Sequence, residues 1–328
     1  MARLRQDPTT WLWIVAGEAR GLAATRGPES AECPFCPSAD LSEEVLIAEK
    51  RGADAWTVRV LADRAPVFHS KGELERQGDG LYDNMATVGA HELVVEGPAH
   101  EAQLGTLPVE LLEQTLEACR DRISALKQDS RLRYVEVFQL QGREAGALLA
   151  HPHAQIVGSP MIPTRVEREL RAAHAHYLAK ERCLYCDVVR REIADDKRVV
   201  ALTAEYLVAC PYASRYPYEM WLLPRRHHSS FEEAMNEPGA LGHLATAFAS
   251  TLRRAEAITP SLAFVLHTEP NRRLPTWLRE EWQSLSEDYH WHIEITPRLP
   301  LPMKTLPPQE YSLNQILPED AAKRLRTL

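Results

Sequence analysis

The sequence predicts an α+β fold built from two tandem repeats. Three observations carry that expectation. Runs with period-two alternation, such as Trp56-Thr-Val-Arg-Val-Leu61, Val135 to Phe138 and Trp291 to Ile295, read as strands. Longer stretches with helical spacing are interspersed among them. One ordered set of motifs also occurs twice along the 328 residues.

Each series opens with a CxxC pair, Cys33/Cys36 and Cys183/Cys186. An apolar run closed by a histidine follows, and Glu92-Leu-Val-Val-Glu-Gly-Pro-Ala-His100 aligns without gaps on Glu219-Met-Trp-Leu-Leu-Pro-Arg-Arg-His227. A helical stretch comes next, Pro108 to about Lys127 and Phe231 to Ala257. A strand follows, Tyr134 to Leu140 and Ala263 to His267. Each series ends in an HxH pair, His151/His153 and His290/His292. Four motifs in register are hard to produce without duplication. The expected halves are residues 1–164 and 165–328, joined by a helix from Arg165 to Lys180. Five prolines between Pro297 and Pro308 predict an extended connector. Pro318-Glu-Asp-Ala-Ala-Lys-Arg-Leu-Arg then starts a short helix, with acids first and bases last as its dipole favours.

Composition narrows the function. Apolar content of 45% and charged content of 26% suit an ordinary globular protein. A net charge of −8 lacks the basic footprint of nucleic-acid binding, although a small phosphorylated ligand needs only a few local donors. No apolar run approaches the ~20 residues of a membrane span. The first residues lack the apolar core of a signal peptide, so the expected compartment is the cytoplasm. Cysteines in CxxC pairs then suggest metal or redox chemistry rather than disulfides. Cys119, in a helical pattern, and Cys210, in an apolar run, are expected to be buried and inert.

Zinc takes four tetrahedral ligands from Cys and His, and a CxxC turn supplies two thiolates. The repeat adds two histidines per half. The expected sets are Cys33, Cys36, His100 and His151, and Cys183, Cys186, His227 and His290, giving two structural zinc ions per chain. A thioredoxin-like dithiol is the alternative, and His228 competes with His227. In the HPH motif, residues i and i+2 point to the same side of a strand. His151 is thus free to bind metal while His153 reaches a phosphate, where a neutral imidazole is a good nucleophile. Gly142, Gly146 and Ala147 let backbone amides approach an anion. The Gln155 amide is placed to donate to a phosphate oxygen. His292 repeats His153 by position without the glycine-rich approach, and is expected to be structural. Trp291 is expected in the core, Glu167 and Glu169 on a solvated helix face. Arg215, Arg225 and Arg226 are either phosphate ligands or solvated surface.

These motifs carry a family resemblance over nearly the whole chain. Cys-Pro-Phe-Cys-Pro37, Trp56-Thr-Val-Arg-Val60, His91-Glu-Leu-Val-Val-Glu-Gly-Pro-Ala-His100, the HPHAQ segment, Cys210-Pro-Tyr-Ala-Ser-Arg215 and Tyr289-His-Trp-His-Ile-Glu-Ile-Thr-Pro-Arg298 resemble the galactose-1-phosphate uridylyltransferase family, most closely its ADP-glucose phosphorylase-like branch. The resemblance implies a tandem histidine-triad fold with an antiparallel sheet and packed helices in each half. It implies a ping-pong nucleotidyl transfer through His153, with Gln155 steadying the phosphates. Arg59, Asp63, Gly142, Gly146 and Asn314 fall in the stretches that bind substrate. The implied partners are a nucleotide or nucleotide sugar, a sugar phosphate or phosphate acceptor, and a second copy of the chain in a homodimer. A family variation places iron or zinc on a glutamate and three histidines, to which Glu169, His267, His290 and His292 correspond.

Three positions depart from the pattern. Leu140 stands where the family has Asn, Leu148 where it has Ser, and Asp63 near a usual Asn. The segment before Asn314 lacks the branch's glycine-rich run. Leucines donate no hydrogen bond, and each lost donor to a charged phosphate is worth roughly 1.5–3 kcal/mol. The expected function is a nucleotidyltransferase or phosphorylase with an unusual donor or acceptor. The alternatives are a nucleotide hydrolase and a binding protein that has lost the chemistry.

Overall fold

The fold is described from a computed structural model, over residues 2–8, 12–16, 33–37, 45–52, 55–100, 102–273, 283–300 and 313–328. Up to residue 159 the elements are β1 (Arg3–Gln6), β2 (Trp13–Ala16), β3 (Leu46–Arg51), β4 (Trp56–Ala62), β5 (Gln77–Asp79), β6 (Tyr82–Ala86), β7 (Ala90–Glu96), α1 (Val109–Leu126), β8 (Tyr134–Gln141) and β9 (His153–Ser159). There follow α2 (Thr164–Lys180), α3 (Leu184–Asp195), β10 (Val199–Leu202), β11 (Tyr206–Ala209), β12 (Met220–Pro224), α4 (Phe231–Ala234), α5 (Ala240–Glu256), β13 (Leu262–His267), α6 (Leu285–Asp288), β14 (His292–Pro297) and α7 (Pro318–Leu325).

Ten strands form one sheet in the order β10-β11-β12-β14-β13-β8-β9-β7-β4-β3. Its neighbours pair antiparallel throughout, and the antiparallel ladder of β13 on β8 joins the two repeats. A second sheet, β2-β1-β6-β5, sits apart. Alternation sorts the side chains of the large sheet onto two faces. Val58, Val60, Val94, Val135, Val137, Ala154 and Ile156 join Leu262, Phe264, Leu266, Ile293 and Ile295 under α1 and α5 in the main core. Residues of opposite parity, including His153, Gln155, His292 and Glu294, face the other side.

That other side differs between the repeats. In the second repeat α2 and α3 cover it, and every residue of β14 is buried. In the first repeat it opens into a cavity of about 790 Å³.

The observed elements depart from the sequence reading at three points. The helix expected from Phe231 to Ala257 is broken into α4 and α5, because Pro238-Gly239 interrupts it and Gly239 adopts φ 77°. The ungapped alignment of the two histidine runs holds only in part. Strand pairing sets Val95 opposite His153, and extended by one residue it sets Leu223 opposite His292, an offset of one from the His100/His227 match. The turn from Gly97 (φ 88°) to His100 absorbs the extra residue. The C-terminal half of the proline-rich connector, from residue 301, lies outside the described residues. Cys119 and Cys210 are buried as expected, with burial pushing both thiols up, Cys210 to about 12. Trp291 is in the core.

Candidate active site

The four predicted ligands of each metal set converge. Cys33 Sγ lies 3.7 Å from His151 Nδ1, and Cys36 Sγ lies 3.3 Å from His100 Nδ1 and 3.7 Å from His151 Nδ1. Cys183 Sγ is 3.9 Å from His290 Nδ1, and Cys186 Sγ is 3.4 Å from His227 Nδ1 and 3.7 Å from His290 Nδ1. A tetrahedral zinc with ordinary Zn–S and Zn–N bonds sets S···N edges of about 3.6 Å, so both sets have the spacing of one ion's coordination shell. The ring tautomers agree. His151 donates from Nε2 to Gly97 O (2.8 Å), His290 to Pro224 O (3.0 Å) and His227 to Ser286 O (2.7 Å). Each Nδ1 lone pair is thereby left facing the thiols, as a metal requires. His227, not His228, stands in the cluster, and His228 Nε2 instead lies 3.3 Å from Glu237.

His153 follows on β9, two residues beyond His151. Its Nδ1 donates to His151 O at 2.8 Å, which leaves the Nε2 lone pair for the cavity it lines. Burial pushes its pKa below the ordinary histidine value, so the ring stays neutral at pH 7. Phe35, from the CxxC turn, tilts over it with ring centroids 5.0 Å apart. The Cys33–Cys36–His100–His151 cluster therefore adjoins both the strand carrying His153 and the ring packed on it.

Gln155, Asp63 and Gly146 line the same cavity, as do Leu140 and Leu148. Three expected substrate residues lie elsewhere. Arg59 donates to Glu49 at 2.7 Å and stacks on Trp56 at 4.4 Å. Asn314 donates to Ser214 O and Tyr216 O, pinning the chain before α7. Gly142 serves packing, since at φ 78° a Cβ there would meet Ser261 Oγ at 2.3 Å. The Gly146 and Ala147 amides do not face an anion; they close a turn onto Arg143 O and Gly142 O. Two cavity residues escaped the sequence reading. His91 contacts Gln155, and Glu136 is a carboxyl that burial pushes up. Both sit at alternate positions of strands that face the cavity, but period-two spacing alone does not separate such residues from other half-buried ones.

Among the described residues the second repeat carries no open counterpart. Tyr185 packs on His292 at 5.0 Å, as Phe35 does on His153, and His292 is fully buried. The metal set on Glu169, His267, His290 and His292 does not form, because His290 belongs to the cysteine set. Glu294 takes its place beside Glu169, His267 and His292. There Arg215 Nη2 lies 2.6 Å from both Glu294 and Glu219, Arg165 pairs with Glu294 and Glu169, and His267 Nδ1 lies 3.1 Å from Glu169. Three carboxylates thus face two guanidiniums and the His267 ring, whose pKa is raised to about 10 against its burial by Glu169 and Glu294. Glu169, His267, His292 and Glu294 also bring their ligand atoms within 4.8 Å of one another, close enough to share a metal ion. Glu169 is accordingly a network residue, not a solvated one, and Arg215 is an internal counter-ion. Arg225 caps Thr203 O and Ala204 O, and Arg226 pairs with Glu237.

Two sheet halves joined at their central strands, each with an HxH strand beside a CxxC-His set, define a tandem histidine-triad fold. Comparisons with known proteins place the chain within that class. Residues 25–163 match the sequence model of the galactose-1-phosphate uridyl transferase N-terminal domain. A galactose-1-phosphate uridylyltransferase from Thermotoga maritima is 28% identical over 99% of this chain and 98% of its own length. An ADP-glucose phosphorylase from Arabidopsis thaliana is 25% identical over 98% of this chain and 92% of its own length. A solved uridylyltransferase structure superposes with a TM-score of 0.81 at 28% identity, covering 100% of this chain and 98% of that one. Along nearly its whole length the chain is thus similar to galactose-1-phosphate uridylyltransferases and to an ADP-glucose phosphorylase.

Proposed function

We propose that this protein is a nucleotidyl-transferring enzyme that acts on a nucleoside diphosphate sugar through a covalent nucleotidyl-His153 intermediate. The observation that carries the reading is the His153–His151 hydrogen bond, which holds the free Nε2 lone pair of a neutral ring toward the cavity. In the first half-reaction Nε2 attacks the α-phosphorus, a P–N bond forms, and the P–O bond to the leaving sugar phosphate breaks. In the second, an oxygen of a sugar phosphate or of inorganic phosphate attacks phosphorus, the P–N bond breaks, and His153 is regenerated. The Gln155 amide donates to a phosphate oxygen as charge shifts onto it. Asp63, at the cavity wall, accepts from ribose hydroxyls or repels a misplaced phosphate; Gly146 gives the ligand room.

Zinc is the metal that the two Cys2His2 sets suit, and it would be structural in both, since four protein ligands leave no open position. When bound it supplies folding energy and holds β9 and the Phe35 turn, not the chemistry itself. The functional halves are residues 1–164, which carry the open site, and 165–328, whose equivalent face is sealed. We further propose a homodimer, on the family likeness, and a cytoplasmic compartment, which suits six cysteines free of disulfides. None of the described helices is long and apolar enough to cross a membrane.

The test is isotope exchange. The purified protein is incubated with each of a panel of UDP- and ADP-sugars plus labelled phosphate or sugar 1-phosphate. Label entering the nucleotide product supports transfer. Release of nucleoside monophosphate without label transfer identifies a hydrolase, and no reaction across the panel identifies a binding protein on this fold. Light scattering on the same sample should give twice the chain mass.

A further inference from the structure

One polar chain in the cavity has no part in the metal sets and, among the described residues, no counterpart in the second repeat. His91 opens β7 with its side chain on the cavity face, and Gln155 lies diagonally across on the adjacent β9. His91 Nε2 is 3.0 Å from Gln155 Oε1. On the other side of the ring, Nδ1 lies 3.3 Å from the Val67 amide nitrogen and 3.2 Å from Asp63 Oδ2. Asp63 is itself fixed. Its Oδ1 accepts from the Ala65 amide at 2.9 Å, and its own amide donates to His91 O at 3.0 Å.

We infer that His91 is a positioning residue that sets the direction of the Gln155 amide, and that Asp63 and Val67 hold His91 for this purpose. The inference rests on the reading of His153 as the nucleophile. A primary amide has a donor end and an acceptor end of nearly the same shape, and only its partners decide which end faces a ligand. Turned the wrong way, Gln155 would present an oxygen to a phosphate oxygen. His91 removes that choice through the Val67 amide, whose N–H donates to Nδ1 and so places the ring proton on Nε2. Nε2 therefore donates to Gln155 Oε1 and leaves the Gln155 NH2 group for the anion. The second repeat lacks the device, since Glu294, which matches Gln155, is taken up by Arg215.

The experiment compares wild type with His91→Leu, His91→Gln, Gln155→Ala and the double variant His91→Leu/Gln155→Ala. Single-turnover formation of the nucleotidyl adduct is followed with whichever nucleoside diphosphate sugar labels the wild type. His91→Leu should slow the step by about tenfold or more, up to the roughly 10²–10³-fold loss seen when such a donor is removed outright. The double variant should be no slower than Gln155→Ala alone, because His91 acts only through Gln155. His91→Gln, which keeps an N–H near the Nε2 position, should recover most of the rate. Losses that multiply in the double variant, or an unchanged rate in His91→Leu, would overturn the inference. A second readout needs no substrate. In the free protein the side-chain amide resonances of Gln155 should shift in His91→Leu and stay near their wild-type positions in His91→Gln. Unshifted resonances in His91→Leu would overturn the inference by themselves. A wild type that forms no adduct overturns the proposed function instead and leaves this readout to decide on His91.

Discussion

Arg215 Nη2 lies 2.6 Å from Glu294 Oε2, at the place in the second repeat that Gln155 holds in the first. A side chain that faces a ligand in one half is thus consumed by an internal ion pair in the other. Glu294 is 3% exposed and Glu219 1%, so the guanidinium between them neutralises two carboxylates out of reach of water. Removing one partner of such a buried set strands the others, at a cost of about 3–5 kcal/mol. Arg215→Met should therefore lower the free energy of unfolding by that order in a urea titration. A change below about 0.5 kcal/mol, the usual effect of a surface substitution, would show that the network is not load-sharing.

The metal sets give a compositional prediction. Protein prepared without chelators should contain two zinc ions per chain by elemental analysis. Cys33→Ser and His151→Ala should each retain one ion and melt at lower temperature, because the site lost contributes folding energy. Cys186→Ser should also retain one, from the other set. Full metal content in His151→Ala would reassign the ligand.

Glu96 predicts a pH dependence of stability. It lies on the helix face of β7, fully buried, accepting from Gln139 at 2.8 Å. Burial pushes its pKa from 4.5 to about 8. Between these values the native state holds a proton that the unfolded state releases, so stability falls as pH rises through the window, by up to about 1.4 kcal/mol per pH unit. Glu96→Gln keeps an acceptor for Gln139 and removes the titration. From about pH 6 to about pH 8 the variant's stability should change less than the wild type's, and the variant should be the more stable at the upper end. Parallel pH profiles would contradict this.

Much of this architecture was legible in the residues. Four motifs recurring in order exposed the duplication, and ligand chemistry assembled both Cys2His2 sets because CxxC and HxH spacing is local. What escaped depended on contacts distant in sequence. Glu169 reads as solvated by its helical position, yet α2 lies over the sheet and brings it to His267, 98 residues on. Gly142 and Gly146 read as an anion nest because glycine permits both close approach and positive φ, and only the tertiary contact of Gly142 with Ser261 shows that this one serves packing. His91 lay inside a quoted motif, but its partner Gln155 is 64 residues away and joins it only through the β7–β9 ladder. Leu140 and Leu148 both line the cavity beside His153.

The central claim is that His153 carries the nucleotidyl group, and intact-mass analysis after incubation with nucleoside diphosphate sugars tests it most directly. Burial holds the ring neutral, so adduct formation should persist below the ordinary histidine pKa of 6.5 and fail only at more acidic pH. The wild type should gain the mass of one nucleoside monophosphate per chain, stable to base and labile to acid. His153→Ala, with zinc content and melting temperature unchanged, should gain none. An adduct of the same mass and yield on His153→Ala would contradict the account.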